Sequence, residues 1–181
     1  MKKLLVNNFK FLINIIFFCK LIICIKLRKA KKIYFVDIDN TLSDTWPTLK
    51  IKNYNSENNR LKSLPIFIGM KRYLSNSIIN DKHLLVFLSA RNYKYYATTS
   101  NWLNSNGFYN FCLILVNSPY EKPFFINSYL IKNVEKIIID DLSYNHENDN
   151  ILFYKDVVNI FKNYNYIDFD EINKINHNGF N

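Results

Sequence analysis

Glycine and proline are scarce in this chain, with three and four copies in 181 residues, so it carries little loop punctuation. Cysteine is scarce too. Cys19, Cys24 and Cys112 form an odd set without C-x-x-C spacing, which excludes a disulfide framework and a zinc site and leaves them as small buried hydrophobes. His83, His146 and His177 have no metal-ligand spacing and read as surface residues. Acidic residues are absent from residues 1–32, which hold nine Lys/Arg. Residues 33–181 hold the remaining 15 Lys/Arg against 15 Asp/Glu, so the body is formally neutral (15 − 15 = 0). A nucleic-acid partner would need excess positive charge on the folded surface, and none is expected here. There are no internal repeats or low-complexity linkers.

The whole positive excess therefore lies on the N-terminal segment, where residues 4–27 are largely apolar. Asn7, Asn8, Lys10, Asn14, Lys20 and Lys26 interrupt the run without gathering on one helical face, so it is neither a clean span nor a clean in-plane amphipathic helix. No small-x-small cleavage pattern follows it. The basic flank from Lys26 to Lys32 favours anionic lipid headgroups and keeps the body on the cytoplasmic side. We expect residues 1–32 to be a basic, hydrophobic, membrane-associating segment; the plainer alternative is a helix packed on the domain.

Beyond it, apolar strands are expected at residues 33–36, 84–88, 111–116 and 137–139, with a short fifth at 151–154. Helices are expected at 66–79, 93–105, 123–131 and 156–164, the second stopped by Asn106-Gly107 and the third opened by proline. Strands of continuous apolar residues between helices predict an α/β fold, a Rossmann-like parallel sheet with helices on both faces. The catalytic domain is placed at 33–165, with a polar insert at about 43–65 and a C-terminal tail at 166–181. The insert is too short to form a domain of its own, and Trp46 and Tyr54 within it are candidate pocket-wall residues or partly buried ones.

In a parallel sheet, ligands bind beyond the carboxyl ends of the strands. Asp37 and Asp39 follow the first strand, Ser89 and Arg91 the second, Lys122 the third, Asp140 and Asp141 the fourth. A carboxylate after a buried strand can attack an electrophile, and a second one two residues on can shuttle the proton. Attack on an anionic phosphoryl group needs neutralisation. Hard oxygen ligands suit magnesium, with Asp140 and Asp141 completing the site. Lys122 can supply fixed positive charge, in preference to Lys132 and Lys136, and Ser89 a hydrogen-bond donor. Arg91 is read either as a substrate contact or as a surface ion pair.

Taken in order, Asp37-Ile-Asp-Asn-Thr-Leu, Phe87-Leu-Ser-Ala-Arg, Lys122 and Ile138-Ile-Asp-Asp resemble the four motifs of the haloacid dehalogenase-like superfamily, over roughly residues 33–160. The resemblance implies an aspartyl-phosphate on Asp37 and acid–base work by Asp39, whose backbone carbonyl would also ligate Mg2+. It further implies a phosphoryl cradle of Ser89 and Lys122, support of the loop by Thr41, and metal ligation by Asp140. The Ser-Ala-Arg form is similar to the capless branches; with an insert too short for a large cap domain it implies an open or lightly covered site and substrate contact for Arg91. The expectation is a magnesium-dependent phosphomonoester hydrolase acting on a phosphorylated small molecule or a lipid-linked phosphate. A catalytically silent scaffold and a slowly hydrolysing phosphoacceptor domain are the alternatives.

Overall fold

The computed structural model describes residues 2–50, 54–78, 82–144 and 154–177. Five strands, β1 (Lys32–Val36), β2 (His83–Ser89), β3 (Cys112–Leu115), β4 (Glu135–Ile139) and β5 (Asn165–Ile167), form one parallel sheet in the order β3-β2-β1-β4-β5. Isoleucine, valine, leucine and phenylalanine dominate β1 to β4, and such side chains fit a pleated, doubly covered surface. Alternate residues divide between two cores. Tyr34 and Val36, Leu85 and Phe87, and Ile137 and Ile139 face one side; Ile33 and Phe35, Leu84 and Val86, and Ile138 face the other.

The first side is covered by α4 (Ile68–Ser77), α5 (Tyr96–Ser105) and α8 (Phe169–His177), through Met70, Leu74, Trp102, Leu103 and Ile172. The second is covered by α1 (Lys2–Arg28), α6 (Lys122–Ile126) and α7 (Lys155–Phe161), through Leu21, Phe125, Ile126, Val157 and Phe161. The architecture is thus α/β and Rossmann-like, as the strand pattern implies. Gly107 stops α5 with φ +85°, a left-handed value that favours glycine.

Several expectations change. The stretch 123–131 is not one helix. Chain direction breaks at Asn127 and resumes as a 3-10 turn over Tyr129–Ile131, capped by Ser128, whose hydroxyl accepts from the Leu130 amide at 3.3 Å. The fifth strand is Asn165–Ile167, while residues 151–153 of the expected one lie outside the described residues. The expected tail is structural: Asp168 caps α8 by accepting from the Asp170 and Glu171 amides at 3.1 and 3.2 Å, and Ile172 is buried. The polar insert is also more ordered than its composition implies. It forms α2 (Trp46–Lys50) and α3 (Glu57–Lys62), tied to α5 by the indole N–H of Trp102 donating to the Leu64 carbonyl at 3.0 Å.

No helix among the described residues is long and apolar enough to cross a membrane. From Phe17 to Ile25, α1 packs along the second core. Cys19 is exposed, contrary to the expectation of burial; Cys24 is half-buried and packs in the same core as the buried Cys112 of β3.

At Gly69 the chains of α4 and α8 approach so closely that an added Cβ would sit 2.1 Å from the Ile175 carbonyl oxygen. Because that neighbour is backbone, Gly69→Ala must push the helices apart. The variant should lose about 2 kcal/mol of stability, read as a lower urea midpoint with an unchanged slope.

Candidate functional site

The sheet order locates the site before any side chain is considered. The chain runs β1, β2, β3 outward on one side, then crosses over β1 to place β4 on its other side. The carboxyl ends of β1 and β4 therefore flank the switch point, where a crevice opens. Asp37 and Asp140 are the first residues past those two ends, and the Asp37 amide donates to the Ile139 carbonyl at 2.9 Å.

Lys122 enters from the loop after β3 and the first turn of α6, with only 1% of its surface exposed. Its Nζ donates to Asp37 Oδ1 at 2.8 Å and to Asp140 Oδ2 at 2.7 Å. Asp140 also caps the 3-10 turn Asp141–Ser143, accepting from the Leu142 amide at 3.1 Å. The capping role and the site role thus coincide in one residue. Asp141 accepts from the Thr41 hydroxyl at 3.2 Å, so Thr41 holds an acidic side chain rather than facing an open cleft.

Asp37, Asp140 and Asp141 are all buried, and one carboxylate oxygen from each lies within 4.8 Å of the others. Three carboxylates against one lysine leave a local excess of two negative charges. Buried like charges at this spacing are costly, and an added cation or proton would relieve them. Hard oxygen donors, the excess charge and the short spacing fit a divalent cation. Burial is the main force on Asp37. Together with the charges of Asp140 and Asp39 it outweighs the pull of Lys122 and raises the carboxyl to about 7. Burial likewise raises Asp140, against the opposing charge of Lys122.

Asp39 has the opposite environment. Burial acts to raise its pKa, but Arg91 and the hydrogen bonds around it prevail and hold it below the usual carboxylate range. The guanidinium grips it bidentately, Nε to Oδ2 at 2.7 Å and Nη2 to Oδ1 at 2.8 Å, and the Thr45 hydroxyl adds a bond to Oδ1 at 2.8 Å. The Ser89 hydroxyl reaches Oδ2 at 3.4 Å. Arg91 is therefore in an ion pair, one in which the guanidinium is buried and the Asp39 carboxylate partly exposed, rather than a surface pair. The Asp39 carboxylate stands apart from the acidic trio.

All eight residues singled out in the sequence meet at this edge: six line one cavity, and Asp140 and Thr41 contact its lining through Lys122 and Asp141. The cavity has a volume of about 660 Å³ and is walled by Leu49, Tyr95, Pro119, Tyr144 and Tyr154. Trp46 and Tyr54 are not in its lining. Lys132 bonds the Tyr129 hydroxyl at the surface and Lys136 lies over the Tyr164 ring, so Lys122 alone of the three lysines reaches the carboxylates. His83 bonds the Ser77 carbonyl away from the site, His177 is exposed on α8, and His146 is outside the described residues.

Sequence reasoning missed two residues. Arg60 on α3 is buried, lines the cavity, holds Thr48 Oγ1 at 2.8 Å and contributes positive charge at Asp39. Its one signal was being the lone arginine of the insert. Thr45 had none, since a threonine in a polar loop is unremarked until its partner is known. No protein-family model, curated protein or solved structure matches this chain.

A divalent cation held by this trio would compete with the proton for Asp37. Its raised pKa means that it is mostly protonated below about 7 and mostly ionised above that value. Apparent affinity for a divalent cation should therefore fall as pH drops below that value, approaching about tenfold per pH unit for one displaced proton. Thermal shifts in magnesium titrations on either side of it check this, and Asp141→Asn should weaken binding at both.

Proposed function

We propose that this chain is a magnesium-dependent phosphomonoester hydrolase of the haloacid dehalogenase-like type, with Asp37 as nucleophile and Asp39 as proton carrier. The observation that carries the reading is the pairing of opposite environments two residues apart. One aspartate sits in a buried acidic trio, the other is held ionised by an arginine fork. Divergent environments for neighbouring carboxylates are how acid–base and nucleophilic roles are separated.

A magnesium ion held by Asp37, Asp140 and Asp141 would neutralise charge between the nucleophile and an anionic phosphoryl group. The chain supplies the rest. Asp37 Oδ2 attacks phosphorus while Oδ1 stays on Lys122, and the phosphorus–oxygen ester bond breaks with its electron pair going to the leaving oxygen. Asp39 delivers a proton to that oxygen. In the second half Asp39, now ionised, takes a proton from water as the water oxygen attacks phosphorus and the bond to Asp37 breaks. Ser89 Oγ and Lys122 Nζ donate to the phosphoryl oxygens.

At rest Arg91 favours the ionised Asp39 needed in the second half. An anionic phosphoryl group entering beside it competes for the same guanidinium. As the fork turns toward the phosphoryl group, burial raises Asp39 and readies it to carry the proton of the first half. Arg91 thereby contacts substrate and sets the protonation state of Asp39.

Asp39→Asn should lower steady-state turnover by about 100-fold to 10,000-fold. With p-nitrophenyl phosphate, whose leaving group needs no proton, the variant should still release a stoichiometric burst of nitrophenolate and accumulate phosphoenzyme. Turnover equal to wild type would remove Asp39 from the mechanism. Absence of both burst and turnover in the wild-type protein with magnesium would favour the silent scaffold.

A further inference from the structure

Helix α1 is apolar on both sides, which a helix lying on a soluble domain is not. Its inner face seats Leu21 in the core with no exposure and packs Phe17, Phe18, Ile22 and Ile25 around it. Its outer face presents Phe11, Leu12, Ile15, Ile16 and Ile23, between 37% and 62% exposed. The two polar residues within this stretch do not interrupt that face. Asn14 turns to the body and donates to Glu121 Oε2 at 3.0 Å, and Lys20 donates to the Tyr96 hydroxyl. From residue 11 to residue 25 every exposed position of α1 is uncharged and apolar.

We propose that α1 is an in-plane membrane helix whose outer face sits in the interface of an anionic bilayer while its inner face stays on the sheet. Charge selects the occupant. Residues 1–32 hold nine Lys/Arg and no acidic residue, complementary to anionic headgroups. A second copy packed on the same face would bring two such segments together, and like charges in apposition oppose association. Lys26 and Lys29 are exposed at one end of the apolar face, where each reaches the headgroup layer. Insertion across the bilayer would strip α1 from the sheet, uncover Leu21 and unpair Asn14 and Lys20.

The placement also orients the cavity. Arg28 bonds the Asn110 carbonyl just before β3, at the amino edge of the sheet, while Asn14 bonds Glu121 next to Lys122, at the carboxyl edge. The helix therefore runs antiparallel to β1 and brings Asn14 to the rim of the cavity. The mouth lies beside the bilayer, separated from it by the width of one helix, about 10–12 Å. The substrate class that follows, a phosphomonoester displayed at a membrane surface, rests on the phosphatase reading; the docking itself does not.

The test is flotation of the full chain with vesicles of phosphatidylcholine alone or mixed with phosphatidylglycerol. The wild-type protein should float with the mixed vesicles, be released by high salt or alkaline carbonate, and stay behind with phosphatidylcholine alone. Ile15→Glu with Ile16→Glu, both on the exposed face, should lower partitioning by at least about tenfold, the effect of 1.4 kcal/mol, while leaving hydrolysis of p-nitrophenyl phosphate unchanged. The proposal is overturned by a wild-type protein that floats with neither vesicle, by a variant that floats as the wild type does, by resistance to carbonate, or by a wild-type dimer that the double variant dissociates. Loss of p-nitrophenyl phosphate hydrolysis alone speaks only to the phosphatase reading.

Discussion

Everything at the carboxyl edge depends on one lysine placed between two strand ends. Lys122 binds Asp37 after β1 and Asp140 after β4, with both distances under 3 Å. Burying two carboxylates side by side would be prohibitive without it, since each loses its hydration and repels the other. Removing Lys122 alone would leave those charges uncompensated, at a cost of about 3–5 kcal/mol. The lysine can reach this position because the loop after β3 crosses from the far side of β2 back over the switch point to begin α6. The crossover that makes the topology also delivers the cation. One lysine does not balance three acids, and the remaining negative charge would favour a further cation.

A second, separate balance is struck at Asp39. Arg91 provides a fork from the loop after β2, Thr45 a hydroxyl from the start of the insert, and Arg60 positive charge from α3. Two of these three lie in the insert, so the segment that covers the cavity also tunes the carboxylate inside it. Glu57 in turn holds Arg60 through both its oxygens, at 2.8 and 2.5 Å, which fixes the guanidinium over Thr48. The insert is small, but its helices are cross-linked to the body by Trp102 and by the hydroxyl of Thr98, which donates to Asn58.

Much of this was legible in the residues because a parallel sheet sorts its apolar and polar positions so sharply. Runs such as Leu84 to Leu88 admit few other readings, and whatever polar residue follows each run must lie at the same edge. That rule alone assembled Asp37, Ser89, Lys122 and Asp140. What escaped lacked such a run. Asn165–Ile167 has one buried apolar residue and pairs only with β4, so an edge strand of this length leaves no periodic signal. Arg60 and Thr45 lie in polar sequence, where side-chain pairing is decided by tertiary approach. In α1, Asn14 and Lys20 read as interruptions of an apolar segment, because sequence does not show that Glu121 and Tyr96 wait beneath them.

The contrast between Asp37 and Asp39 carries a final consequence. A carboxyl raised to about 7 is a poor nucleophile near neutrality, because much of it holds a proton. The same burial that raises Asp37 brings Asp140 and Asp141 close enough to share a cation with it, and proton and cation are alternatives for that carboxylate. On the proposed reading, then, ionising the nucleophile and filling the metal site are thermodynamically one event, and Asp37 is held inert in its absence. Asp39 needs no such coupling. Its arginine keeps it ionised in the resting protein, and an incoming phosphoryl group is the natural competitor for that arginine. On that reading each carboxylate responds to a different ligand, Asp37 to the cation and Asp39 to the substrate, and chemistry at Asp37 would require both.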